Sequence, residues 1–489
     1  MRTHAITIIV GAALLVGVRL SAEVGPSSMF GDHMVLQRGM PVPVWGTADP
    51  GESVTVGFAG RQVTTKADAD GKWRLALPVL KASAEGRELT IAGSNTIVFE
   101  DVLVGEVWIC SGQSNMQYGW GKESHPMFNW GGDADLAALV PDARTRPVRS
   151  YRVPCNVSFT PNDDCSGAWS TDVAGSAVAM GFSYQLQRAL EVPVAVIVTC
   201  WGSSSIEGWM PRDMTGQLPH FKKMMEAFDG SAQARERVSK VIEQGVRHGN
   251  VFVRKQPNLL YNAMLHPVIP YASRGMVWYQ GEANAGKPGE YAESLPRWLQ
   301  RLRKAWGRDD FHLLVVMLPG YGKDDGRPDA KSWASFRDVQ MKILDLPHTG
   351  VANTIDLGDV KNIHPPDKAP ISERLALLAR SDVYGEKISG QGPSIAKYSV
   401  TGDRMVIEFT DADGLTTSDG QPPTGFWLAD QDGDWHPATA TIEGTTMVVK
   451  AGPVARPTAC RYAFCGKPEV NLVNAAGLPA YPFRTDRSD

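Results

Sequence analysis

The sequence lacks long apolar runs, an excess of one charge and the usual zinc-binding spacings. Beyond its first 22 residues, no segment has the roughly 18 uninterrupted apolar residues that a membrane-spanning helix needs. The 49 Lys and Arg residues nearly balance the 53 Asp and Glu residues, so the net charge is −4. The chain has no excess of positive charge that would attract a polyanion, and we expect no nucleic-acid partner. Because no C-x-x-C or H-x-x-x-H spacing occurs, we expect no metal site.

The N-terminus carries a short apolar run, Ala5 to Val18, that follows Arg2. As a helix this run would reach only about 21 Å, short of the ~30 Å hydrocarbon layer. With the small residues Ser21 and Ala22 after it, residues 1–22 are typical of a secretory signal peptide, and a retained anchor is the alternative. We therefore expect a secreted or periplasmic protein that has no membrane contact after the signal is removed.

Export would permit disulfide bonds among the six cysteines. The close pairs Cys155/Cys165 and Cys460/Cys465 are the best local candidates, although spacing does not fix connectivity. Cys110 and Cys200 each end an apolar run and are expected to be buried thiols.

Hydrophobic patterning divides the chain after the signal into three regions. Residues 23–103 and 389–489 contain short alternating runs broken by Gly, Pro and Asp, which is typical of β-sandwiches. In residues 104–388, apolar strand-like runs alternate with helical periods such as 180–190, 291–306 and 372–380. Apolar strands connected by helices indicate a parallel sheet covered on both faces. The predicted fold is an α/β core flanked by two β-regions.

The first candidate site residue follows the predicted strand 104–110. Ser114 lies in a tight turn after Gly112, where a serine can project its hydroxyl above a sheet and a helix N-terminus can offer N–H groups to an oxyanion. A helix-capping serine is the simpler interpretation of this residue taken alone.

Polar residues also follow the predicted strands 192–200 and 275–279. Gly202 could bring a backbone N–H close to a reacting carbonyl, and Gln280 and Asn284 are side-chain donors beside the acid Glu282. Taken alone, these segments are also compatible with an ordinary turn and a polar helix cap.

The last candidate, His364, comes after the predicted strand 351–356 and is followed by Pro365. A histidine there fits a general base, although a single histidine is more often structural. The order of Ser, Gly, amide and His, each after a strand, supplies the groups that acyl transfer needs.

Several segments carry a family resemblance: VGEVWICSGQSNMQ (104–117), TCWGSSSIEGW (199–209), GMVWYQGEANA (275–285), FRDVQ (336–340) and IHPPDK (363–368). The chain resembles the sialate O-acetylesterase family, a carbohydrate-esterase branch of the SGNH (GDSL-like) hydrolases. Residues 29–56 and 470–486 resemble the family's two ends, so the resemblance covers nearly the whole chain after the signal.

The resemblance implies an SGNH core that hydrolyses O-acetyl esters of carbohydrates without a metal or another cofactor. Ser114 would be the nucleophile and His364 its base. The N–H groups of Ser114 and Gly202, with Gln280 and Asn284, would form the oxyanion hole. The residues that would bind substrate are Gln113, Asn115 and Glu282.

One departure concerns the third member of a catalytic triad. Many bacterial relatives have Asp two residues before the histidine, and this chain has Asn362. A neutral amide orients an imidazole without stabilising the imidazolium. The chain would then work as a Ser–His dyad, or another acid would help. Asp359 is the first candidate, with Asp356 and Glu282 as alternatives.

Other functions remain open on the sequence alone. The sugar could be sialic acid or a plant polysaccharide such as xylan, and the enzyme could be a broad esterase. A glycan-binding protein with a decayed site, using Trp427 and Trp435, is the alternative from another class.

Overall fold

The computed structural model describes residues 23–121, 131–247, 249–322, 328 and 333–486. The predicted signal peptide, residues 1–22, lies outside them. Among the described residues, no helix combines the length and the apolar character needed to cross a bilayer. All six cysteines are described and no disulfide joins them, so the two candidate pairs are not bonded.

The N-terminal region consists of strands in two sheets, and its last strand continues into the central region. Its strands are β1 (Gly25–Pro26), β2 (Val35–Gln37), β3 (Val42–Thr47), β4 (Ser53–Phe58), β5 (Arg61–Lys66), β6 (Lys72–Leu77), β7 (Ser83–Ala92) and β8 (Thr96–Gly112). Strands β1, β3 and β6 form one sheet, while β5, β4, β7, β8 and β2 are paired in the other. Burial alternates strictly along β6, so one face packs inward and the other faces solvent.

The central region contains the remaining core strands and all the α-helices of the described chain. These are α1 (Ser114–Gln117), α2 (Ala134–Ala143), β9 (Val148–Arg152), β10 (Ala168–Ser170), α3 (Ala177–Leu190), β11 (Val194–Cys200), α4 (Pro219–Gly230), α5 (Ala232–Glu243), α6 (Val251–Arg254), β12 (Gly275–Tyr279), α7 (Pro288–Trp306), β13 (His312–Val316), α8 (Trp333–Met341), β14 (Thr349–Ala352) and α9 (Ala369–Leu378). Short 3₁₀ and π turns lie at Ile206–Trp209, Arg212–Gly216, Tyr261–Leu265, His266–Val268, Glu282–Asn284, Lys342–Asp345 and Ala379–Val383.

The core sheet has the strand order β10-β9-β11-β8-β12-β13-β14. All neighbours are parallel except the edge pair β10/β9, which is antiparallel. From β8 the chain first builds β9 and β11 on one side, and it later crosses to β12 on the other. The carboxyl end of β8 is therefore the point where strand order reverses, which is where open α/β sheets bind ligands.

Helices cover both faces of this sheet. Trp108 of β8 packs edge-on against Phe182 of α3, with ring centroids 5.4 Å apart. Because Gly275 lies beside Trp108, Trp278 points to the opposite face, where its ring centroid is 4.5 Å from that of Trp298 in α7. The predicted α/β core with two flanking β-regions is thus confirmed.

One predicted strand is displaced along the chain. The apolar run 351–356 was expected to be extended throughout, but the strand covers Thr349–Ala352. The side chain of Asn353 accepts a hydrogen bond from the Ile355 N–H (3.1 Å) and donates to the Pro479 carbonyl (2.8 Å), which turns the chain out of the sheet. The segment that leads to His364 therefore begins directly after Ala352.

The C-terminal region consists of small antiparallel sheets. Its strands are β15 (Ser394–Thr401), β16 (Arg404–Thr410), β17 (Thr416–Thr417), β18 (Phe426–Ala429), β19 (Trp435–Pro437), β20 (Thr439–Glu443), β21 (Thr446–Lys450), β22 (Ala459–Tyr462), β23 (Leu472–Val473) and β24 (Phe483–Arg484). They form the sheets β15-β16-β21-β20, β19-β18-β22-β24 and β17-β23. Lys467 of this region donates to the Asp356 carbonyl (3.0 Å), so the region contacts the segment that leads to His364.

Candidate active site

Ser114 stands at the carboxyl end of β8 because Gly112 lets the chain pass very close to β12. Gly112 has φ +142°, and a Cβ there would lie 2.1 Å from the Tyr279 carbonyl oxygen. The Gln113 N–H donates to that oxygen (3.0 Å), and Ser114 then starts α1. The Ser114 N–H has no hydrogen-bond acceptor in the part of the chain that the structure describes.

His364 reaches Ser114 across 250 positions of sequence. Its Nε2 lies 2.8 Å from Ser114 Oγ. This distance is that of a hydrogen bond between a hydroxyl and the base that could deprotonate it. Burial, with a smaller contribution from the positive charge of Lys368, lowers the pKa of His364 to about 4. The imidazole is therefore neutral at pH 7 and can accept a proton.

Gly202, after β11, packs directly against the serine. A Cβ at Gly202 would lie 3.2 Å from Ser114 Cβ and 3.2 Å from Gln117 Oε1. The Gly202 N–H donates to Gln117 Oε1 (2.9 Å). A reacting oxygen would therefore have to displace the Gln117 side-chain oxygen to accept a hydrogen bond from this N–H. On the other side, the fully buried Arg254 donates to the Gly202 carbonyl (2.7 Å) and holds the turn.

Gln280 and Asn284, after β12, are buried in a network that ties three of the strand ends together. Gln280 Nε2 donates to Gln113 Oε1 (3.2 Å), to the Ser204 carbonyl (3.1 Å) and to Asn284 Oδ1 (2.8 Å). Asn284 Nδ2 in turn donates to both carboxylate oxygens of Glu207 at 3.1 Å. The N–H groups of these two amides are thus directed at protein acceptors.

The predicted substrate-binding residues lie next to the serine and are largely engaged with other residues. Gln113 Oε1 accepts hydrogen bonds from Gln280 and from the Ala283 N–H (3.2 Å). Asn115 is fully buried and donates to Glu282 Oε1. Burial raises the pKa of the Glu282 carboxyl, whose Oε2 has no partner among the described residues. Substrate contact by Asn115 would require its present bonds to open.

Neither aspartate considered as a triad acid is hydrogen-bonded to the imidazole within the described chain. Asp359 Oδ1 accepts the N–H groups of Lys361 and Asn362, both at 2.7 Å, and these bonds lower its pKa. Asp356 is paired with Arg374 through two bonds of 2.7 Å. Asn362, in the position of the expected Asp, accepts the backbone N–H of His364 (2.9 Å).

Four residues near the site were not assigned a role from the sequence: Gln117, Glu207, Arg254 and Lys368. Gln117, Glu207 and Lys368 fall within the family-like segments, so the segments themselves were a signal for them. Arg254 had no signal, because an arginine in a polar stretch normally indicates a solvated surface.

One group of side chains in the described chain could hold a metal ion: Glu207, His220 and Glu290, whose ligand atoms lie within 4.8 Å of one another. Both Glu207 oxygens accept from Asn284, and His220 Nε2 is 2.9 Å from Ser294 Oγ. These side chains therefore already have protein partners.

Comparisons with known proteins agree with one another. Residues 242–376 match the family model described as carbohydrate esterase, sialic acid-specific acetylesterase. Sialate O-acetylesterase of Mus musculus is 28% identical, with 97% of each chain covered. That of Homo sapiens is 26% identical, covering 94% of this chain and 91% of the human one. A carbohydrate acetylesterase from Xanthomonas citri superposes with a TM-score of 0.81 at 32% identity, over 95% of this chain and 100% of its own.

Proposed function

Since the chain belongs to the sialic acid-specific acetylesterase family of carbohydrate esterases, we propose that it removes O-acetyl groups from sugars through an acetyl-enzyme on Ser114, with His364 as the base. The observation that carries the proposal is the 2.8 Å contact between Ser114 Oγ and His364 Nε2. The imidazole's lowered pKa supports it further, because only a neutral imidazole accepts the serine proton.

In the first half-reaction, Ser114 Oγ attacks the acetyl carbonyl carbon while His364 Nε2 takes the hydroxyl proton. The tetrahedral intermediate then collapses, and its bond to the sugar oxygen breaks. His364 returns the proton to that oxygen, so the sugar leaves with a free hydroxyl. In the second half-reaction, His364 deprotonates a water molecule that attacks the acetyl carbonyl carbon. The bond between this carbon and Ser114 Oγ then breaks, His364 returns the proton to Oγ, and acetic acid leaves and ionises to acetate.

The intermediate's negative oxygen would be held by backbone donors beside the serine. The Ser114 N–H has no competing acceptor among the described residues. The Gly202 N–H would have to leave Gln117 Oε1 in order to donate to the oxyanion. Each such donor contributes about 10²–10³ in rate. Gln280 and Asn284 would join directly only if their bonds to Ser204 and Glu207 were given up, and otherwise they hold the turns in place.

We propose further that neither Asp359 nor Asp356 is the acid partner of His364. The bonds of Asp359 to its own turn and of Asp356 to Arg374 support this proposal. Asn362 restrains the backbone N–H of His364 and carries no charge.

The substrate class is tested by acetate release from acetylated sialic acids, acetylated xylan and acetylated mannan. We expect release from the sialic acids, as the names of the curated relatives suggest, and none from the Ser114→Ala variant. Acetate release from xylan or mannan alone would still indicate a carbohydrate acetylesterase, but one whose substrate is not sialic acid.

Two outcomes would overturn the proposal. Glycan binding by the parent and the Ser114→Ala variant alike, without acetate release from either, would indicate a glycan-binding protein. A preference for octanoyl over acetyl aryl esters would indicate a broad esterase.

Secretion is a separate proposal, supported by the apolar run after Arg2. Expression of the full chain should yield an exported protein that begins near residue 23. An uncleaved, membrane-bound product would favour the retained anchor.

A further inference from the structure

The backbone of His364 is held on both sides by two buried side chains. Asn115 Nδ2 donates to the Ile363 carbonyl at 3.0 Å. Lys368 Nζ donates to the Pro365 carbonyl at 2.6 Å. These carbonyls belong to the residues immediately before and after His364, so the two bonds fix the peptide unit that precedes His364 and the one that follows Pro365.

The two side chains also hold each other. Lys368 Nζ donates to Asn115 Oδ1 at 2.8 Å, which makes a continuous connection from Ile363 through Asn115 and Lys368 to Pro365. Asn115 directly follows Ser114 in α1. The connection, here called the clamp, therefore joins the helix that carries the hydroxyl to the loop that carries the imidazole.

The surroundings of Lys368 favour an ammonium group in spite of burial. The side chains of Asn115 and Lys368 are fully buried. Nζ lies 4.8 Å from the ring centroid of Tyr118 and 5.6 Å from that of Tyr279, distances at which aromatic faces attract a cation. Burying an ammonium group without compensating contacts costs free energy of folding. If position 368 served only to fill space, an apolar side chain would therefore stabilise the fold more than a lysine.

The position of Lys368 is itself fixed at the start of α9. The Asp133 carboxylate accepts the N–H groups of Lys368 (2.7 Å) and Ala369 (2.8 Å). Asn115 is fixed in the same way on its far side, by its bond to the Glu282 carboxylate. Both ends of the clamp are therefore anchored to other elements of the core.

We propose that Asn115 and Lys368 are positioning residues that hold the imidazole of His364 against Ser114 during the reaction. This inference rests on the proposed function of the Ser114–His364 pair. It assigns to a lysine and an amide a role in orienting the imidazole, which they perform through backbone contacts.

The clamp also has an electrostatic consequence. The positive charge of Lys368 adds to burial in lowering the pKa of His364. The charged groups that face Lys368 are the carboxylates of Glu282, Asp367 and Asp133, which oppose the burial that lowers its own pKa to about 7. Below pH 7, Lys368 is therefore increasingly protonated and disfavours protonation of the base.

The test compares Lys368→Met with Lys361→Met, an exposed lysine of the same loop, in full-length enzyme acting on an aryl acetate. We expect Lys368→Met to lower kcat about 10²-fold, because small displacements of a reacting group cost this much, with KM nearly unchanged. Loss of the charge should also move the acidic limb of the pH profile to higher pH. Lys361→Met should match the parent in both measurements.

Two further variants keep the test decisive if Lys368→Met folds poorly. Asn115→Ala should lose kcat to a similar extent, and the double variant should lose little more than either single one, since the residues act as a unit. Lys368→Gln, which keeps a donor without the charge, should recover part of kcat while its acidic limb stays shifted.

The inference is contradicted if the Lys368 variants keep kcat within about twofold of the parent, or if the Lys368 and Asn115 effects are simply additive. A kcat loss with an unmoved acidic limb would also contradict it. If Ser114→Ala retained activity, the proposed function itself would fail, whatever the clamp variants did.

Discussion

The two flanks of His364 differ in how they are held. On the preceding side, the buried Asn115 donates to the Ile363 carbonyl, while Asp359 and Asn362 are exposed and their side chains bond to backbone N–H groups of the same loop. On the following side, Pro365 and Lys368 are buried, and Lys368 connects to the helix of the nucleophile.

The difference shows which contacts can control the position of a histidine base. Hydrogen bonds on an exposed turn compete with water, whereas those of a buried group persist because few alternative partners are available. The buried flank should therefore matter more to catalysis than the flank that carries the acidic residues.

The largest expected effect comes from removing the imidazole that both flanks support. His364→Ala should lower kcat/KM by about 10⁴–10⁶, as in hydrolases that act through a Ser–His unit. His33→Ala is the matched control, since His33 is half-buried and paired with Asp101 in the N-terminal region. A loss below about tenfold in His364→Ala would remove the imidazole from the mechanism.

The pH dependence of the parent enzyme's activity should show the effect of the buried flank on the pKa of His364. Because burial and Lys368 lower this pKa to about 4, the neutral base predominates above pH 4 and is lost as the pH falls through that value. We expect kcat/KM to stay constant from neutral pH to about pH 5 and then to fall about tenfold per unit.

The measurement uses an uncharged aryl acetate, with enzyme preincubated at each pH and assayed at pH 7 to control for acid unfolding. An acidic limb near pH 6.5, the value of an ordinary imidazole, would show that the buried flank does not act on His364.

The smallest effect is expected on the exposed flank. Asp359→Asn keeps an oxygen that can accept the N–H groups of Lys361 and Asn362 and removes only the charge. Turnover should fall by less than about tenfold, whereas a loss near 10⁴ would make Asp359 the acid of a triad.

The fold could be predicted largely because burial leaves a pattern in the sequence. Strand β12 has the predicted bounds, 275–279, since all five of its residues are buried. The predicted boundary between residues 103 and 104, however, lies within β8. Along this one strand, burial changes from alternating to continuous as it passes from the N-terminal sheet into the parallel core. The hydrophobic pattern therefore changes where the surroundings of β8 change, although the strand itself continues without a turn.

The site was predictable only in part. The approach of Ser114 and His364 follows from the order of the strand ends, because parallel strands bring their carboxyl ends to one edge. The bond between Asn115 and Lys368 spans 253 positions, and a lone lysine normally indicates a solvated surface. Apart from its place in the family-like segment 363–368, nothing in the local pattern distinguishes Lys368 from an exposed lysine such as Lys361.

The central claim is that Ser114 carries the acetyl group, and its most direct test is an acid-quenched reaction with an activated acetyl ester followed by peptide mass analysis. An activated ester makes hydrolysis of the acyl-enzyme the slow step, so the intermediate accumulates. We predict one acetyl group on the peptide containing Ser114, absent in Ser114→Ala. Turnover by the parent without acetylation of Ser114, or with the acetyl group on another residue, would contradict the account.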